Sequence, residues 1–192
     1  PMATCETQIV SHDAVRRCSF STDRLVADEW HRQAARFDLN LVGAVGNILT
    51  TATTAALPPE WRGAFDGERA RRWIEARDIE SPTLLAMEID TGLIVGLLIL
   101  SETAGEFPLR GVDVRLGYVV AESAWGRGFA TELVAGLVKW SQSEPSICTI
   151  SAGVAPTNEA SVRVLRKNGF VRSAASDGEQ FYQISVKSAG DQ

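Results

Sequence analysis

Two stretches of this 192-residue chain hold side chains whose types and spacing could do chemistry. In the first, Trp125-Gly126-Arg127-Gly128-Phe129-Ala130-Thr131, two glycines precede an apolar periodicity at Phe129, Leu133, Val134, Leu137 and Val138. The pattern predicts a loop that passes directly into an amphipathic helix. Glycine tolerates the positive φ of a tight loop, and a helix start presents N–H groups at the positive end of its dipole. That combination is an anion site, and Arg127 adds a cation beside it; a turn without a ligand is the plainer alternative. The second stretch, residues 158–161, sets Asn158 and Ser161 three apart in the first turn of another predicted helix. Asn158 suits the cap there, and Ser161 is either part of the helix start or turned toward a ligand. Asp113 and Arg115 share one face of a predicted strand, as a surface ion pair or as a carboxylate available for proton transfer. Glu122, Asp177 and Glu179 are weaker candidates of the same kind.

The elements that must position these groups follow from periodicity. A strand over residues 112–120 leads into the glycine loop, and the helix after it is followed by a strand at 147–154 and a helix at 158–167 that ends on Asn168-Gly169. Upstream, residues 24–28 read as a first strand, and residues 29–48 as one or two helices with Trp30, Ala34, Phe37 and Leu41 near one face. Residues 66–77 read as a helix with Ala70, Trp73, Ile74 and the Arg77 stem inward. Strands at 83–89 and 93–101 flank Asp90-Thr91-Gly92, and the second is apolar on both faces, which predicts a central position in a sheet covered on both sides. A last hairpin, 170–174 with 180–186, turns at Asp177-Gly178. The segment 50–65, with its threonines, alanines, Pro58 and Pro59, cannot be a long regular helix; Trp61 and Phe65 make it either a core plug or a binding wall. The expectation is a single α/β (α+β) domain: residues 1–20 a poorly ordered extension, 21–187 the domain with a mixed, mostly antiparallel sheet of about six to seven strands, and 188–192 a tail.

A net charge of −5, with the basic cluster Arg69, Arg71 and Arg72 interrupted by acids, predicts no nucleic-acid partner. The longest apolar run, 92–100, is too short to cross a membrane, and residues 1–13 lack the apolar core of a signal peptide. Three cysteines without CxxC spacing predict free thiols in a cytoplasmic setting, and two histidines without a helical partner predict no metal. The dinucleotide fingerprint fails at Thr131, and no Walker loop, HExxH or GxSxG is present.

Strand end Gly117-Tyr118, loop and helix start at residues 125–132, and residues 158–170 with their closing Asn-Gly-Phe together resemble the GNAT superfamily of acyl-CoA-dependent N-acyltransferases. Gly128 and Ala130 match its (Gln/Arg)xxGx(Gly/Ala) hallmark, while Trp125 stands at the first position; the combination is similar to the RimJ/RimL branch of ribosomal-protein alanine acetyltransferases. The resemblance implies that residues 126–131 hold the pyrophosphate of coenzyme A. It also implies that Tyr118, Val119 and Val120 pair with the pantetheine arm, and that the Val119 amide polarises the thioester carbonyl. It implies a role for Ser161 at the sulfur and for Asp113 as the carboxylate. The Tyr that many relatives carry seven residues after the Asn is here Leu165.

The function implied is direct transfer of an acetyl group from acetyl-CoA to a primary amine, without a metal or a covalent enzyme intermediate; Cys148 reads as a buried strand residue. A peptide α-amine with pKa about 8 is about 10% neutral at pH 7, whereas deprotonating a lysine amine of pKa about 10.4 costs about 4.6 kcal/mol. The acceptor is therefore expected to be a peptide N-terminus or a small amine, and the chain is compatible with a homodimer. Two rivals are a succinyl-type acyltransferase, with Arg115 holding the extra carboxylate, and a silent acyl-CoA-binding module.

Overall fold

The computed structural model describes residues 14–104, 111–176 and 179–186. Its strands are β1 (Phe20–Ser21), β2 (Leu25–Glu29), β3 (Thr83–Glu88), β4 (Ile94–Ala104), β5 (Val112–Val120), β6 (Ile147–Val154), β7 (Val171–Ser176) and β8 (Glu179–Ser185). The helices are α1 (Trp30–Phe37), α2 (Leu41–Ile48), α3 (Gly67–Glu80), α4 (Phe129–Ser141) and α5 (Glu159–Lys167). The strands make one sheet in the order β1-β2-β3-β4-β5-β6-β8-β7, eight strands where six to seven were expected, because the two-residue β1 carries no periodicity that sequence could reveal.

Alternation along the central strands divides the core in two. Leu98 and Leu100 of β4 join Val114 and Leu116 of β5 under α4 and α5, on what we call the back face. Leu97, Ile99 and Val119 point to the front, where Trp30, Val45, Ile48, Trp73 and Ile74 of α1–α3 cover them. Burial on both faces is why β4 reads as an unbroken apolar run. Trp73 is ringed edge-on by Trp30, Trp61 and Phe65 at centroid distances of 5.9, 5.5 and 6.0 Å, so Trp61 and Phe65 plug the front core.

Several expectations are corrected. The packed unit begins earlier than residue 21, since Ala14, Val15 and Cys18 are buried against the back core. Phe37 is 42% exposed and does not join the α1 face, because the helix has ended on Asp38 in the left-handed conformation. Residues 1–13, including Cys5 and His12, the turn Asp177-Gly178 and the tail from residue 187 lie outside the described residues. Cys18 and Cys148 form no disulfide, and burial pushes the Cys18 thiol far up. His31 Nε2 sits 2.9 Å from Asp78, a surface pair. Among the described residues no cluster could hold a metal, and no helix is long and apolar enough to cross a membrane.

One feature of the sheet prepares the site. All neighbouring pairs are antiparallel except β5 and β6, which run parallel and pair only from Val112↔Ile147 to Arg115↔Ser151. Beyond that point β5 stays with β4 up to Gly96↔Val120, and β6 stays with β8 up to Val154↔Gln180. Residues 116–120 of β5 therefore border a V-shaped gap with one backbone edge open.

Candidate active site

The gap opens into a cavity of about 560 Å³ between the end of β5, the start of α4, the face of α5 and residues 52–57. Tyr118, Val119, Val120, Trp125, Gly126, Gly128, Phe129, Ala130, Thr131, Asn158 and Ser161 all line it. Of the residues expected to hold a cofactor, Arg127 is the exception.

The loop can present amides because Gly126 and Gly128 take φ of +74° and +80°, which a side chain would strain. Gly128 is the N-cap of α4 and offers no side chain to its first-turn N–H groups. The other four helices are capped by Glu29, Asn40, Asp66 and Asn158. An uncapped helix start facing a cavity leaves donors for a ligand, and each charge-assisted bond from them to a phosphate is worth about 1.5 to 3 kcal/mol.

Arg127 does not add its charge there. Its guanidinium pairs with Glu88 and lies 4.5 Å from the Phe129 ring centroid, outside the cavity. Arg24, bound through Nε and Nη2 to Glu132 at 2.7 and 2.6 Å, donates from Nη1 to the Arg127 carbonyl at 3.1 Å and so braces the loop from behind. Burial would raise the Glu132 carboxyl, but hydrogen bonds from Thr22 and from the backbone and side chain of Arg24 outweigh it and hold it below its ordinary range. The cations on the cavity wall are Arg163 and Lys167, which sequence reasoning missed. The signal was present: 160, 163, 164 and 167 fall on one helical face with Asn158 and Ser161 at its start.

On the strand side, backbone direction corrects one expectation. The Ala121 N–H donates to Val95 of β4, and a Cβ placed on Gly96 would lie 2.2 Å from the Val119 carbonyl oxygen. Odd-numbered backbone groups here turn to β4, so the Val119 amide faces away from the gap and its side chain is buried in the front core. The groups of Tyr118 and Val120 face the gap instead. Trp125, at the hallmark position of Gln or Arg, donates its indole N–H to the Val120 carbonyl at 2.8 Å and closes the strand end.

Asp113 is also displaced from its expected role. It accepts a hydrogen bond from Thr149 in the zipped half of β5 and β6, and lies five residues from Tyr118, about 16 Å along the strand. Arg115 pairs with Glu179 at 3.5 Å, not with Asp113, and lies 5.5 Å from the Phe181 ring centroid on the front of the sheet. Glu122 accepts from Thr50, which ties the end of β5 to the segment 50–57. Asn158 Oδ1 caps the Ser161 N–H at 3.1 Å, leaving the Ser161 side chain on the cavity wall beside Tyr118.

The family described as "Acetyltransferase (GNAT) domain" matches residues 32–171. The chain belongs to the GNAT acetyltransferases. No match was found among curated protein sequences. Among solved structures, the fold is similar to a GNAT-family acetyltransferase from Bacillus anthracis, with TM-score 0.71 and 19% identity over 88% of this chain and 99% of that one. A RimL ribosomal L7/L12 α-N-protein acetyltransferase in complex with coenzyme A matches with TM-score 0.63 and 17% identity over 86% and 96%. A spermidine N-acetyltransferase from Vibrio cholerae, in complex with coenzyme A and spermine, matches with TM-score 0.61 and 16% identity over 86% and 97%. As a GNAT enzyme the chain transfers an acetyl group to an amine acceptor, and the cavity at the β5–β6 gap is where its residues fit that chemistry.

Proposed function

We propose that this GNAT enzyme uses acetyl-CoA and binds it in the cavity, with the pyrophosphate on the amides of residues 126–131. The observation that carries the reading is the uncapped α4 helix behind two positive-φ glycines, the one α-helix start among the described residues without a side-chain cap. Arg163 and Lys167 add attraction for the phosphates, and the open edge of β5 offers Tyr118 backbone groups and the Val120 N–H to the amides of the pantetheine arm. Acetyl-CoA supplies the activated acyl group as a thioester. The acceptor approaches from the front of the gap, bordered by Glu122 with Thr50 and by Arg115 with Glu179. These two front carboxylates replace Asp113 as the groups that could take a proton from the amine, directly or through water.

An α-amine, neutral to about 10% at pH 7, asks least of such a base, and we read the acceptor as a peptide N-terminus or a small amine of similar pKa. The Asn-x-x-Ser helix start and the Gly117-Tyr118 strand end support a place near the RimJ/RimL branch, and the cysteine spacing supports a cytoplasmic enzyme. Arg115 is already engaged by Glu179, which favours acetyl over an acyl group with its own carboxylate. Calorimetry should show acetyl-CoA binding in the micromolar to millimolar range, and its absence there overturns the cavity assignment. A mass-spectrometric screen of peptides and amines should give acetylation of α-amines ahead of lysine side chains; the reverse order would discard the acceptor reading.

A further inference from the structure

The cavity is better suited to phosphate than to an amine. Arg163 and Lys167 stand on its wall, and among the described residues no carboxylate lines it. An ammonium ion is therefore received at the front mouth, where one cluster is built around a missing side chain. Gly117 and Gly153 each stand two residues beyond the last rung, Arg115↔Ser151, on opposite sides of the opening gap and about 7 Å past the point where it splits. Gly117 leads directly into Tyr118 and Val119 of the cavity wall. A Cβ on Gly153 would lie 2.6 Å from Glu179 Oε2, 3.3 Å from Arg115 Nη2 and 3.3 Å from Phe181 Cε1. An ion pair occupies the space that a side chain would take: Arg115 reaches from β5 across β6 to Glu179 at the start of β8. The Phe181 ring centroid, 5.5 Å from the guanidinium carbon, helps to orient it. The pair adds little to stability. Its side chains are 52% and 41% exposed and meet at 3.5 Å, a contact of a kind that contributes about 0 to 1 kcal/mol. A guanidinium has several N–H donors and a carboxylate several lone pairs, so both keep positions for a ligand.

We propose that Arg115 and Glu179 are the recognition pair for the acceptor, and that they select an α-amino acyl group, an ammonium with a carbonyl or carboxylate on the same carbon. The ammonium docks on Glu179, and the adjacent oxygen accepts from Arg115. The proposal rests on the acceptor being an α-amine that enters from the front. Opposite charges side by side match a group whose cation and oxygen are held two carbons apart. They do not match a polyamine, whose second ammonium would meet the guanidinium. Glu122, partnered by the Thr50 hydroxyl, presents only the negative half of such a site. Gly153 is then a specificity-determining position, because any side chain there displaces the carboxylate from the mouth of the gap.

The test compares matched acceptors at saturating acetyl-CoA: alaninamide, which has the carbonyl, and sec-butylamine, which lacks it. Reading each variant against wild type on the same amine cancels the difference in amine pKa. Arg115→Gln should lower kcat/KM for alaninamide at least tenfold and leave that for sec-butylamine within twofold or better. Glu179→Gln should raise KM for both amines about tenfold, and Gly153→Ala should reproduce that rise. In all three variants KM for acetyl-CoA should hold, and the melting temperature should fall by no more than about 2 °C, as befits an exposed pair. Free alanine set against an alanyl peptide then names the source of the group, and a preference for either is the chemistry expected. Equal losses on the two amines in Arg115→Gln, or an unchanged acceptor KM in Glu179→Gln, overturn the proposal. A wild type that acetylates amines but no α-amine overturns instead the reading beneath it.

Discussion

The two halves of β5 share a strand, a neighbour and an alternation, yet only one of them borders the cavity. From Val112 to Arg115 the strand is zipped to β6, so its backbone is spoken for and Asp113 serves Thr149 across the pair. From residue 116 onward β6 has turned away, and the same alternation offers backbone groups and the Tyr118 side chain to a cavity. A carboxylate and a hydroxyl on one strand are separated in surroundings by where the register ends. Strand position relative to the split matters more here than residue type.

The largest break in that comparison should come from filling the open end. Gly128→Asp puts a Cβ at φ +80° and a negative charge at the helix start, and should weaken acetyl-CoA binding at least a hundredfold by calorimetry. Gly128→Ala, which carries only the conformational strain of about 1 to 2 kcal/mol, should cost roughly five- to thirtyfold. Next, Ser161→Ala should lower turnover about tenfold with cofactor affinity unchanged, since the Asn158 cap to the Ser161 backbone N–H survives the substitution. Normal turnover would remove Ser161 from the reaction.

A pH experiment sharpens the comparison from behind the loop. The Glu132 carboxyl is depressed in the folded protein, so its contribution is fully present above the unfolded value near 4.5 and is lost as pH falls through the lower folded value. Glu132→Gln should reduce thermal stability at pH 7 by a few degrees, with the difference from wild type closing as pH drops below about 4.5. It should also loosen Arg24 from the Arg127 carbonyl and weaken cofactor binding two- to threefold. The smallest effect belongs to the zipped half: Asp113→Asn should leave kcat within about twofold of wild type. A hundredfold loss there would reinstate Asp113 as the base and reverse the contrast between the two halves.

Much of this was legible beforehand. β5 and β6 begin and end where the periodicity places them, and the buried stripe of α4 at Phe129, Leu133, Val134 and Leu137 is the one the spacing predicts. Glycines before that stripe announced the tight loop because positive φ is a demand few residues can meet. Arg163 and Lys167 were legible in principle and were passed over because cations on an amphipathic helix normally mean only a solvated face. Arg127 was over-read: adjacency to the loop says nothing about direction, and Glu88, 39 residues earlier, captures the guanidinium. Phe37 and residues 14–18 were misjudged because short helices and isolated apolar residues lack the repeats from which burial is inferred.

By itself the sequence determined the family, nearly all of the element order and the position of the glycine loop before α4, since these depend on local backbone preference and on side-chain periodicity. Only the tertiary structure decided which way each group points across chain separations of tens of residues. The register end at Arg115↔Ser151 leaves Asp113 paired with Thr149 away from the gap, ladder parity turns Val119 toward β4, and the crossing of strand and helix brings Tyr118 and Ser161 to one cavity wall. Those are consequences of strand pairing and packing between distant segments, and no local pattern encodes them.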